Sequence, residues 1–154
     1  MREYEEKLKA IIRERDIKAE HLSFDRSCHS VAEAALTVGA EPEDFVKSIC
    51  MVDGEGRAIV AIVKGPDRAS TSRVAKALGI PRPRVASSDE MLGLTGFPVG
   101  GTPGFGFDAV FLVDPRILEK EVVYLGGGSD MALVRMGTSE LVRANGGRVV
   151  RVRR

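Results

Sequence analysis

The sequence predicts one α/β domain over residues 1–154, with helices flanking a mixed, mostly antiparallel sheet. Three observations carry that expectation. Helical and strand patterns alternate with no repeat, low-complexity tract or linker between them. Two β-branched apolar runs meet across hairpin chemistry. Finally, 154 residues, 44% of them apolar, can bury a core without disulfides or metal.

Taken in order, Tyr4, Leu8, Ile11 and Ile12 repeat at helical spacing with charges between them, which predicts an amphipathic helix over residues 2–15. His21 to Phe24 reads as a short strand. Ser30-Val31-Ala32-Glu33 is a capping box opening a helix that Gly39 closes. Phe45–Val52 and Arg57–Val63 are strands joined by the turn Asp53-Gly54-Glu55-Gly56. Ser70 or Thr71 caps a third helix that stops at Gly79, and a short strand follows at Arg84 to Ala86. Ser87-Ser88-Asp89-Glu90 is a second capping box, opening a helix through Leu94. Beyond a glycine-rich stretch, strands are expected at 109–113, 121–125 and 132–136, a helix at 139–145 and a last strand at 148–152. Gly126-Gly127-Gly128 reads as a turn.

Composition narrows the function classes. A net charge of +1 makes no case for DNA, and the arginines at 148, 151, 153 and 154 read as a solvated terminal strand. Two cysteines and two histidines are too few and too scattered for a zinc motif or a disulfide framework, so a metal site has little to be built from. The first residues hold no apolar signal region, and no window approaches the roughly 20 apolar residues of a membrane span. These features imply a soluble, cytoplasmic protein without a membrane partner.

Lys47 is out of place. It lies in Phe45-Val46-Lys47-Ser48-Ile49-Cys50-Met51-Val52, a strand with two apolar faces, on the side of Ile49 and Met51. A buried ammonium costs several kcal/mol unless something pairs with it. Three arrangements satisfy it: a ligand, a carboxylate, or a stem that packs while the ammonium reaches water.

The second informative segment is Phe97-Pro98-Val99-Gly100-Gly101-Thr102-Pro103-Gly104-Phe105-Gly106. Its Gly104-to-Ala109 portion matches a dinucleotide fingerprint only in form, because the residues that follow read as a strand where that fingerprint needs a helix. What remains is either a glycine-rich connection or a backbone open enough to offer amide donors to a carbonyl or phosphate. No hydrolytic triad is present. Asp25, Ser27 and His29 alternate along one segment and diverge, and adjacent Cys28 and His29 do not aim at each other.

Three stretches together, Phe45–Ile49 after a capped alanine-rich helix, Gly65-Pro66-Asp67-Arg68 before Val74–Gly79, and Thr95–Gly106, resemble the YbaK/prolyl-tRNA synthetase-associated (INS-like) editing domain family in its free-standing form. The resemblance runs in order from about His29 to the C-terminus and includes Val113-Asp114-Pro115. It implies a curved, mixed, largely antiparallel and barrel-like sheet flanked by helices, and a trans-editing deacylase that hydrolyses the ester of mischarged aminoacyl-tRNA with no metal, nucleotide or other cofactor. Alanyl, cysteinyl or seryl esters, including those on tRNA-Pro, are the implied substrates. The partners would be the tRNA acceptor end, gripped by arginines such as Arg82 and Arg84, and an aminoacyl-tRNA synthetase. The alternative is a module that binds these molecules without hydrolysis.

By the same resemblance Lys47 and Gly100 are catalytic, the substrate 2′-hydroxyl assists, and Ser30, Gly101, Thr102, Pro103, Gly104 and Gly106 bind substrate. This chain departs from the family pattern at Gly104, where proline is expected. The family's acidic position after the glycine turn falls on or near Leu133, so its role does not carry over.

Overall fold

In the computed structural model, which describes residues 2–154, the elements run α1 (Arg2–Glu14), β1 (Ala19–Ser23), α2 (Val31–Val38), β2 (Val46–Val52), β3 (Ala58–Lys64) and α3 (Thr71–Leu78). They continue with β4 (Arg84–Val85), α4 (Ser88–Thr95), β5 (Val110–Val113), β6 (Val122–Gly126), β7 (Ala132–Gly137), α5 (Thr138–Asn145) and β8 (Arg148–Val149). The helix stops follow the expected chemistry: Gly39, Gly79, Gly96 and Gly146 all adopt left-handed backbone after their helices. Ser87 and Glu90 form the complete capping box. At α2 only half of it forms: Ser30 accepts from the Glu33 amide at 3.1 Å, while the Glu33 carboxylate faces the Ser30 hydroxyl.

The strands divide between two sheets. One is antiparallel, in the order β1-β7-β6; the other is mixed, in the order β4-β2-β3-β5-β8. In the larger sheet β2–β3 and β2–β4 are antiparallel, whereas β3–β5 and β5–β8 are parallel. A parallel bridge between Phe45 and Tyr124 joins the sheets, and their rings stack at 5.1 Å between centroids. The sheets do not close on each other.

The larger sheet is buried on both faces, which is why β3 reads Ala-Ile-Val-Ala-Ile-Val without alternation. Val60 and Ile62 pack toward α1, α4 and the smaller sheet, with Phe97, Phe105, Leu125 and Leu141. Ile59, Ala61 and Val63 pack on the opposite side with Val74 of α3, Met51 and Val152. A smaller apolar cluster lies beneath α2, made of Cys28, Ala34, Ala35, Phe45 and Leu133.

Three local features depart from the expected pattern. Short 3-10 helices occupy Pro42–Asp44 and Pro115–Glu119, each opened by a proline whose fixed φ suits a first helical position. The first strand begins at Ala19 rather than His21, paired with Met136. The last strand ends at Val149, because the amides of Val152 and Arg153 donate to the Asp114 carboxylate instead of a ladder.

Candidate functional site

A cavity of about 500 Å³ opens between the start of α2, the first half of β2, the loop at 99–102 and the end of β6. Its apolar wall comes from the cluster beneath α2, chiefly Val31, Ala34, Phe45 and Leu133. Its polar wall comprises His29, Ser30, Lys47, Ser48, Gly100 and Thr102.

The β2 segment contributes backbone as well as side chains. The Phe45 carbonyl accepts from Gly65 and the Asp53 amide donates to Arg57, both on the β3 side, while the Cys50 carbonyl accepts from Ala86 on the other side. Backbone direction alternates along a strand, so Ser48 turns its amide and carbonyl away from β3. Beyond β3, Phe45 bridges to Tyr124 of β6, and β4 pairs with Met51 and Val52. Ser48 lies between these two pairings, where β2 lines the cavity.

Lys47 enters from the same strand. Among the described residues its ammonium has no ion pair, so the carboxylate arrangement allowed by the sequence is not the one adopted. Lys64, near the same end of the hairpin, is satisfied by Glu119 at 3.2 Å. Partial burial, then Arg68, push the Lys47 amine below its ordinary range, against a smaller pull from Asp67. Cys28 shifts the other way: burial raises its thiol, with Glu33 and Asp130 adding to the rise against a hydrogen bond from Thr37. That shift disfavours the thiolate a nucleophile would need.

In the loop, Gly100 has φ +86°, and a Cβ added there would lie 2.7 Å from His29 Cε1. The Gly101 amide donates to the Pro98 carbonyl at 3.2 Å, and the Gly101 carbonyl accepts from Gly128 at 2.8 Å. Gly101 is thus consumed in holding the loop. The amides of Gly100 and Thr102 make no hydrogen bond among the described residues, which leaves them available as donors.

The profile of the aminoacyl-tRNA editing domain matches residues 25–144. The chain belongs to the aminoacyl-tRNA editing domain family. The solved structure of the hypothetical protein APE2540 is 31% identical, with a TM-score of 0.88 over 96% of this chain and 99% of that one. A candidate trans-editing enzyme for prolyl tRNA synthetase is 28% identical, with a TM-score of 0.87 over 98% and 97%. A proline–tRNA ligase of Trichlorobacter lovleyi is 30% identical over 80 residues, which are 52% of this chain and 14% of the ligase.

In this editing domain the residues singled out from the sequence fall into two groups. Lys47, Ser30, Gly100 and Thr102 share the cavity, and Gly101 lies just behind it. Pro103, Gly104 and Gly106 are not on its wall. Pro103 is buried, Gly104 faces Ile62, Leu141 and Leu125, and Gly106 faces Ile11 of α1. A Cβ at position 104 would come within 3.2 Å of Ile62 and Leu141, so glycine suits this core where the family pattern has proline.

The arginines expected to grip tRNA are also engaged. Arg84 binds Glu90 through two hydrogen bonds of 2.6 and 2.7 Å, and the Arg82 Nε donates to Thr71. Sequence reasoning missed His29, Ser48 and Leu133 as wall residues. For His29 a signal existed, since it directly precedes the cap of α2 and so shares its place. Leu133, on or near the position where the resemblance expects an acid, adds an apolar side chain to the wall.

Proposed function

We propose that this editing domain is a trans-acting deacylase that hydrolyses the ester of mischarged aminoacyl-tRNA. The observation that carries this reading is that one cavity is lined by both Lys47, whose ammonium has no ion pair among the described residues, and Gly100, whose amide makes no hydrogen bond among them. Water attacks the ester carbonyl carbon, charge develops on the carbonyl oxygen, and the bond to the ribose oxygen breaks as that oxygen takes a proton. Amide donors and a cation stabilise the developing oxyanion without a nucleophilic side chain. The substrate 2′-hydroxyl positions the water. Ser30 and Thr102 complete the polar wall around the aminoacyl-adenosine end.

A small aminoacyl group fits the apolar wall of Val31, Ala34 and Leu133, which favours alanine, cysteine or serine as the amino acid removed. The likeness to a candidate trans-editing enzyme for prolyl tRNA synthetase, and to part of a proline–tRNA ligase, supports tRNA-Pro as an acceptor and a synthetase as a partner. A methylene or hydroxyl in such a pocket is worth only about 1–3 kcal/mol, so selectivity between these esters is moderate.

The test is amino-acid release from tRNAs, including tRNA-Pro, charged with alanine, cysteine or serine. Lys47→Ala should lower release about 100-fold or more with little change in thermal midpoint. No release by the wild type, with the tRNA still bound, would replace catalysis by binding alone. A Lys47→Ala rate equal to wild type would remove Lys47 from the reaction.

A further inference from the structure

Helix α1 precedes the segment matched by the family profile, yet it reaches the cavity loop at three places, twice directly and once through the glycine turn. At the start of the loop, Lys7 donates to the Gly96 carbonyl at 2.9 Å, with its ammonium 4.7 Å from the centre of the Phe97 ring. At its end, Ile11 packs 3.3 Å from the position a Gly106 Cβ would take. In the middle the contact runs through the glycine turn. Glu5, 2% exposed, accepts from Ser129 at 2.7 Å and from Ser23 at 2.6 Å. Its neighbour Tyr4 presses on Gly128, where an added Cβ would lie 2.7 Å from the Tyr4 carbonyl. The Gly128 amide in turn holds the Gly101 carbonyl, and an added Cβ on Gly101 would meet the Ser129 amide at 2.5 Å.

A buried carboxylate is costly unless its oxygens are satisfied, and stability alone would be served as well by an apolar residue. Here both oxygens are used to bind one turn, one strand and Arg2 into a fixed register. We infer that Glu5 and Lys7 are positioning residues: α1 sets the conformation of the Gly96–Gly106 loop and thereby aims the Gly100 and Thr102 amides into the cavity. Glu5 acts through Ser129 and Gly128; Lys7 acts directly on Gly96. Neither touches the cavity itself. The inference extends the proposed deacylase, but the loop geometry it concerns exists without substrate.

The experiment is amide hydrogen exchange of the substrate-free protein, read by NMR at Gly101 and Gly128, with β2 and β3 as internal references. Ser129→Ala and Glu5→Gln should each speed exchange at these two amides at least tenfold and leave the references unchanged. At these two amides the double variant should match the stronger single one, because each substitution weakens the same link between Glu5 and the glycine turn. Deacylation should fall about tenfold in kcat with little change in KM, since the donors are displaced rather than the binding walls. If Glu5→Gln does not fold, Lys7→Ala, at an exposed site, should raise exchange at Phe97 and Gly101 in the same selective way. Unchanged exchange at Gly101, or exchange that rises equally in β2 and β3, would overturn the inference. Selective exchange in a protein that releases no amino acid would retain it and remove the deacylase.

Discussion

Gly100 answers to two constraints at once. Its φ of +86° lies where side chains are rarely tolerated, and the space beyond its Cα is filled by the His29 ring. Gly100→Val should therefore distort the donor amide and abolish turnover, at a cost to stability of about 1–3 kcal/mol. Wild-type release by this variant would sink the oxyanion role of the loop. Lys47 yields a pH prediction with a definite sign. Partial burial and Arg68 favour its neutral form, so a required cation is lost at a pH below 10.5, the ordinary lysine value. After correction for uncatalysed ester hydrolysis, the rate should fall on an alkaline limb below that pH. Lys47→Arg, charged throughout, should retain some activity and lack the limb; a limb that persists would belong to another group.

Among the elements, α2 has a double duty, because Ser30 caps its first turn and also lines the cavity. The two roles separate by substitution. Ser30→Ala removes the cap and should cost about 1 kcal/mol. Ser30→Asp keeps an N-cap acceptor, so its thermal midpoint should stay near wild type, while a carboxylate in the cavity slows deacylation at least tenfold. Equal activity for Ser30→Asp and wild type would leave Ser30 a cap alone. The elements themselves were largely legible, since caps, glycine stops and periodicity are local signals. Ser87, Gly39 and the hairpin around Gly54 act within a few residues of where they are read. The cavity was only half legible. Lys47 announces itself by breaking an apolar strand, but nothing near Leu133 or Ser48 tells that one will join Val31 in the cavity wall or that the other will fall between two strand pairings. The same holds for the loop: Gly100 and Gly104 look alike in sequence and differ only in what the fold brings against them.

For the molecule as a whole, Asp114 ties the end of β5 to the last residues. It is fully buried, receives the amides of Arg116, Val152 and Arg153, and pairs with the Arg153 guanidinium at 2.9 Å. Burial pushes its carboxyl up, but these donors prevail and hold it below its ordinary value of 3.8. The sign follows: the stabilisation is complete above the unfolded-state value and is lost as pH falls through the lower, folded-state value. Wild-type thermal stability should thus decline below about pH 4 more steeply than that of Asp114→Asn, which should begin about 3 kcal/mol less stable at neutral pH. Parallel curves would show that Asp114 carries no such linkage. This tie was not legible beforehand, because Asp114 and Val152 are far apart in sequence and meet only when β5 and β8 lie parallel.

That parallel pairing also governs how the chain can be made. β3, with every residue buried in the finished protein, gains its antiparallel partner as soon as the hairpin is synthesised, but its other edge waits for β5. Until β5 has emerged from the ribosome, a strand apolar from Ala58 to Val63 stands with an open ladder of amides and carbonyls, the form most prone to pair with a stranger. Chaperone dependence in this protein should therefore concentrate in nascent chains in which β3 has left the ribosome and β5 has not.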